Sequence, residues 1–181
     1  MATKKENQRI ILTKRLLQEG LLRLLEVKNL DQISVTELCR EAGINRATFY
    51  NHYDSPLALL GDIESGIRED LEKIATVPNC VEDSINHLEK MCIYMKENVD
   101  ILRILNRCHL DNELAYTFER ISKHPITSRT HDLDSDSLYL ISTYVFTGCY
   151  FMVREWLMNN IDKTPREVAE LAASIINKDY L

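Results

Sequence analysis

The chain has 181 residues, of which 45% are apolar and 28% charged, a balance that excludes a disordered chain and leaves room for a real core. Its net charge of −6 argues against a uniformly basic nucleic-acid binder, but the charge is uneven. Residues 1–53 hold nine Lys/Arg against six Asp/Glu, while the remainder holds 13 against 22, so any attraction to phosphates is concentrated at the front.

Five Gly and four Pro are few breakers, Leu, Ile, Glu and Lys abound, and no run alternates with period two. An all-α fold is expected. Cys39, Cys80, Cys92, Cys108 and Cys149 are scattered without a CxxC, which fits reduced packing thiols better than a disulfide scaffold or zinc site. The longest uncharged run, Ser137 to Val153, carries Ser142, Thr143 and Thr147 and is shorter than the ~20 apolar residues a bilayer span needs. MATKKENQR leads into an amphipathic helix rather than a signal peptide's apolar segment. A cytoplasmic protein with no membrane association is expected.

The first helix is predicted from about Asn7 to Lys28, with Ile10, Leu17, Leu21, Leu24 and Leu25 on its apolar face. Ser34 followed by Glu37 fits a capping box that opens a second helix ending near Ala42. Gly43 supplies a turn of positive φ, and Asn45 caps a third helix from Arg46 to about Asn51. Ser55-Pro56 opens a fourth helix reaching about Ala75, with Pro at the position where its missing N–H costs nothing. Helices follow near Val81–Glu97, Val99–Arg107 and Asn112–Lys123, then a loop to Ser135. A long helix of about Asp136–Asn159 precedes Thr164-Pro165-Arg166-Glu167, which caps a last helix to about Lys178.

Two short helices joined at Gly43 form a helix-turn-helix, whose second member presents its amino end to base edges in a DNA major groove. That end carries Asn45, Arg46, Ala47 and Thr48. Arg46 suits guanine N7 and O6 or a phosphate, the Thr48 methyl suits thymine, and Ala47 permits close approach. Val35, Leu38, Ala42, Ile44 and Phe49 form a mini-core beneath. Thr36 at one helix start, Tyr50 and His52 at the exit, and Lys4 and Lys5 in a basic arm can meet the phosphate backbone. Tyr53 reads as core rather than contact. Domains are placed at 1–54, a three-helix DNA-binding domain, and 55–181, a larger helical domain.

The run AGINRATFYNHYDSPLALL resembles the signature of the TetR family of transcription regulators, over roughly residues 7–65. The resemblance implies dimeric, all-helical proteins, mostly repressors that release DNA when the larger domain binds a small molecule. It implies DNA contacts from Thr36, Arg46, Ala47, Thr48, Tyr50 and His52. Many relatives carry Lys in the first turn of the fourth helix; this chain has Pro56, so that phosphate contact is either missing or replaced by backbone N–H groups of the helix, with lower affinity or a stronger dependence on the Lys4/Lys5 arm as the expected result. The tail FTGCYFMVREWLMNNIDKTPREVAELAASII is similar to a subgroup that includes regulators of dihydroxyacetone kinase operons.

The 136–159 helix is apolar nearly all round and must be buried on more than one side. Leu138, Ile141, Val145, Gly148, Cys149, Met152 and Trp156, with Leu171 and Ile175 of the last helix, are the expected homodimer interface; the alternative is an interior helix of a monomer. Met91, Tyr94, Met95, Leu105, Cys108, Tyr116 and Phe118 combine soft apolar bulk with hydroxyls, as an effector pocket would, or form an ordinary core. No nucleophile elbow, glycine-rich phosphate loop, HExxH or paired-carboxylate motif is present, so no enzyme, catalytic residue, cofactor or metal is expected. The expected partners are an operator duplex, a second copy of the chain, and either a small-molecule effector or a partner protein that could make the regulator an activator.

Overall fold

Helix-end chemistry sets most of the element boundaries in the computed structural model. It describes residues 2–74, 81–109, 114 and 134–177, without the side chains of 2–7, 81–84, 138, 146, 176 and 177. Helix α1 spans Ala2–Val27, followed by a 3-10 turn at Leu30–Gln32, α2 at Val35–Ala42, α3 at Arg46–Tyr50 and α4 at Pro56–Ile74. Then come α5 at Val81–Glu97, α6 at Val99–Arg107, α7 at Ser135–Met158 and α8 at Pro165–Asn177. The fold is all-α, with no strand among the described residues. The helix expected over 112–123, the loop that follows it, Tyr116 and Phe118 lie outside those residues.

The chain divides into two compact units. The first comprises residues up to Gly66 together with Ile104–Cys108; the second comprises Ile67–Arg103 and the chain from His109 on. In the first, Leu17, Leu21 and Leu25 of α1 close over Leu38 of α2, Phe49 of α3 and Leu59 and Leu60 of α4, all without solvent exposure. The i, i+4 spacing along α1 puts these leucines on one face. Ile10 falls on the same stripe yet is exposed. Gly20 lets α1 lie against α2, because a Cβ there would meet the Ala42 Cβ at 3.0 Å.

In the second unit α5 packs on α8, with α7 against α8 as well. Buried Ala169, Ala172 and Ala173 keep the α8 surface low, so the Met91, Cys92 and Met95 side of α5 can approach closely. Arg166 binds across this contact, donating to Asn86 Oδ1 at 2.7 Å and pairing with Glu89 at 3.2 Å. The predicted box at the start of α8 forms in full: Glu167 N–H donates to Thr164 Oγ1, and Thr164 N–H to Glu167 Oε2 at 2.7 Å. These bonds hold the Glu167 carboxyl below its usual range.

Helix α7 redistributes the residues expected at a dimer interface. Val145 and Cys149 are buried in a cluster with Ala172, against which Leu88, Ile141 and Met152 pack, and Trp156 is buried with its indole N–H donating to Lys163 O at 3.1 Å. Val145, Cys149 and Trp156 are thereby taken up inside the subunit, while Ile141 and Met152 are half-buried. The outward apolar stripe is the neighbouring one: Leu140 is 67% and Tyr144 79% exposed, Gly148 is exposed, and Leu171 and Ile175 of α8 are exposed too. A helix apolar all round offers two such stripes, one residue apart, and its sequence alone does not say which meets α5.

Candidate nucleic-acid interface

Helix α2 begins where Ser34 Oγ accepts the Glu37 N–H at 3.2 Å. The reciprocal half of the expected capping box is absent, because the Glu37 carboxylate takes Lys28 Nζ at 2.6 Å instead. Helix α2 ends at Gly43, whose φ of 67° and ψ of 26° turn the chain so that Ile44 N–H reaches Cys39 O at 2.9 Å. A Cβ would be strained in this left-handed conformation. Asn45 Oδ1 then caps α3 by accepting the Ala47 N–H at 2.8 Å.

Phe49 anchors α3, with no exposed surface, and directs the opposite edge outward. Asn45, Arg46, Ala47 and Tyr50 are exposed, Thr48 is half-buried, and Thr36 stands exposed in the first turn of α2. Tyr50 packs its ring edge on Phe49, centroids 5.5 Å apart, and His52 at the exit is half-buried. Of the mini-core expected here, Leu38, Ala42 and Phe49 are buried and Val35 and Ile44 half-buried. The backbone of Lys4 and Lys5 is helical; their side chains lie outside the description.

The exit from α3 is fastened from two sides. Tyr53, 6% exposed, donates its hydroxyl to Asp62 Oδ2 of α4 at 2.6 Å. The other Asp62 oxygen pairs with Lys14 Nζ of α1 at 3.5 Å, and that ammonium lies 5.4 Å from the Tyr53 ring centroid. Burial, followed by the bond to Asp62 and its negative charge, raises the Tyr53 phenol far above its ordinary range, so it stays a donor.

Ion pairing decides which basic residues of the front segment keep an uncompensated charge. Lys14, Arg15, Arg23 and Lys28 are matched to Asp62, Glu19, Glu41 and Glu37. Among the described side chains of residues 1–53, Arg9, Arg40 and Arg46 have no carboxylate within 4 Å, and all three are exposed. Arg40 is absent from the sequence-derived contact set. Glu37, three residues before it on α2, is held by Lys28 at 2.6 Å.

The residues expected to line an effector pocket fall in both units. Met91 and Met95 are buried and Tyr94 half-buried in the second unit, where the Tyr94 hydroxyl donates to Asp70 Oδ2 at 3.1 Å. Leu105 and Cys108 fold with the first unit. Cys108 lines an open cavity of about 580 Å³ there, with Leu30, Ile33, Pro56 and Arg107. Burial pushes the thiol of Cys92 up to about 12 and that of Cys149 up to about 11, so neither behaves as a reactive thiolate. Among the described residues no three His, Cys, Asp or Glu side chains gather as a metal site requires, and no helix is long and apolar enough to cross a membrane.

An all-helical chain with an outward-facing helix-turn-helix defines the class of helical transcription regulators. A family profile of the TetR type, described as "Transcriptional regulator C-terminal region", matches residues 82–178. The chain belongs to the TetR family of transcriptional regulators. Among solved structures it is similar to a TetR transcriptional regulator from Streptococcus agalactiae 2603V, at 18% identity and a TM-score of 0.72, covering 97% of this chain and 99% of that one. It is similar to the dihydroxyacetone kinase operon activator DhaS, at 17% identity and a TM-score of 0.60, covering 92% and 94%. It is also similar to the fatty acid degradation regulator FadR from Bacillus halodurans, at 9% identity and a TM-score of 0.63, covering 93% and 96%. At these identities the likeness establishes the fold. No curated protein sequence matches the chain.

Proposed function

We propose that the chain acts in the cytoplasm as a homodimeric repressor. It binds a near-palindromic operator and releases it when a small molecule occupies the C-terminal domain. The observation that carries this reading is the α3 edge, where Arg46, Ala47 and Tyr50 face outward while Phe49 beneath them is fully buried. Asn45, Thr48, Thr36, His52 and the Lys4/Lys5 arm complete the proposed contacts, and Arg40 joins them because it is exposed with no carboxylate within reach.

The proposed dimer uses the outward stripe of α7, Leu140, Tyr144 and Gly148, with Leu171 and Ile175 of α8. Apolar side chains as exposed as Leu140 and Tyr144, aligned one helical turn apart, are costly to leave in water. Pairing two copies sets two recognition helices roughly 34–36 Å apart, one turn of duplex, which is why the operator should be a near-palindrome.

The test is recovery and footprinting of genomic fragments retained by the purified chain. A shared inverted repeat protected on one face of the duplex is expected. Retention of fragments with no common sequence, no tighter than random DNA, would refute the reading.

A second reading keeps the DNA-binding role and changes the control. The similarity to DhaS, an operon activator, favours activation over repression; in this reading control comes from a partner protein docked on the C-terminal domain. Co-purification of a stoichiometric protein, with rising transcription from the footprinted promoter, would select it.

A further inference from the structure

We infer that the cavity where α5 meets α6 binds a small dianion, a phosphate monoester or a dicarboxylate, seated against the indole of Trp156. The inference rests on the reading of the chain as a ligand-controlled regulator and gives that ligand a chemical class and a place.

The cavity holds about 470 Å³, within the range of small-metabolite sites, and lies wholly in the second unit. Its charged lining is lopsided: Lys96 from the end of α5, Arg103 from α6 and Lys163 from the α7–α8 connection stand against Asp162 alone. Neither Lys96 nor Lys163 has a carboxylate within 4 Å among the described residues. Lys96 Nζ instead sits 5.5 Å from the Trp156 ring centroid.

Arg103 is held in place at this opening by two partners. It donates to Asn160 Oδ1 at 2.8 Å, while Asp100, which does not line the cavity, pairs with it at 3.3 Å. Asn160 adopts a left-handed φ of 49°, and the Trp156 indole holds Lys163 O, so the connection is fixed where it borders the cavity. Like charges around one opening repel, and an anion reverses the sign of that interaction. A phosphate monoester carries about −1.5 to −2 at neutral pH; with Arg103 paired to Asp100, Lys96 and Lys163 are the cations that stand ready for it, against Asp162. Arg103 offers such an oxyanion the N–H groups left over from Asn160 and Asp100, and Val99, Leu157 and the Trp156 ring offer apolar edges to a short carbon skeleton.

Trp156 is the single tryptophan, so intrinsic emission reads this cavity directly. The full chain would be titrated with glycerol 3-phosphate, with succinate, and with glycerol as the neutral control. A saturable emission change with at least one dianion and none with glycerol is expected. A Lys96→Gln/Lys163→Gln variant of unchanged circular dichroism should bind at least about ten-fold more weakly. Response to glycerol 3-phosphate alone assigns the phosphate ester; response to succinate alone assigns the dicarboxylate.

No emission change with either dianion up to about 10 mM, or equal affinity in parent and variant, overturns the inference. DNA retention measured in parallel separates the two readings. A chain that retains its operator without a dianion response loses this site and keeps its regulatory role; one that binds a dianion but no DNA does the reverse.

Discussion

Tyr53 gives its phenolic hydrogen to Asp62 across 2.6 Å, tying the segment that leaves α3 to the second turn of α4. A hydrogen bond to a charged acceptor contributes about 1.5–3 kcal/mol, and the partial exposure of Asp62 sets this one toward the low end. Tyr53→Phe should therefore lower unfolding free energy by about 1–2 kcal/mol in urea titrations. Asp62→Asn should cost a similar amount, and a double-mutant cycle should show coupling between the two. Additive effects would mean that the bond contributes nothing.

Gly20 sets two effects against each other. Alanine there would gain about 1 kcal/mol of helix propensity. Its Cβ, however, would lie 3.0 Å from the Ala42 Cβ and 3.2 Å from the Ala42 Cα, and backbone yields poorly. Overpacking of this kind costs about 1–3 kcal/mol, so Gly20→Ala should destabilise the protein on balance, seen as a lowered Tm. A raised Tm would show that α1 and α2 separate easily.

Arg46 and Arg40 should part company in DNA-binding titrations. Arg46→Ala should cost about 1–3 kcal/mol at the operator and relax preference at one base position, if Arg46 reads a base edge. Arg40→Ala should weaken all sequences alike and reduce the salt slope by about one. Both side chains are exposed, so neither change should alter the melting curve.

Tyr144 and Val145 are sequence neighbours with opposite surroundings. Tyr144→Glu alters a residue 79% exposed in the subunit, so it should leave the subunit's own stability within about 0.5 kcal/mol while driving a dimer to monomer in sedimentation. Val145→Glu places a carboxylate in the cluster with Cys149 and Ala172 and should unfold the second unit before any question of association arises. A dimeric Tyr144→Glu chain would move the interface elsewhere.

The buried thiols predict an alkaline limit. Cys92 is raised to about 12, by burial first and then by Cys149 and Glu89, and Cys149 to about 11 by burial. A thiol in the unfolded chain ionises near about 8.5, so between these values the native state keeps protons the unfolded state sheds. The stabilisation is fully present below the unfolded value and lost as pH rises toward the folded ones. The stability difference between parent and Cys92→Ala should therefore be flat near neutrality and shrink above about pH 9. A difference that does not change with pH would mean that the thiol is not desolvated.

What could be read directly from the sequence is what neighbours within a few residues decide. Ser34, Gly43, Asn45 and the Thr164–Glu167 box act on backbone two to five positions away, and each forms the bond its type and spacing imply. Choices among distant partners were not legible. Glu37 could have served Ser34, Arg40 or Lys28, and tertiary packing gave it to Lys28. The two apolar stripes of α7 are equivalent until α5 and α8 arrive. Nothing in the residue types of Leu105 or Cys108 says that they fold with the first unit.

That last point bears on how the DNA-reading head can be handled. Arg107 donates to Leu25 O, satisfying a terminal carbonyl of α1, and Leu105 is wholly buried in the same unit. The head is thus assembled from two separate stretches of gene. A graft cut once after Gly66 would leave behind part of its own interior, exposing leucine surface and an orphaned helix end. A working chimera has to carry the 104–108 segment across with it.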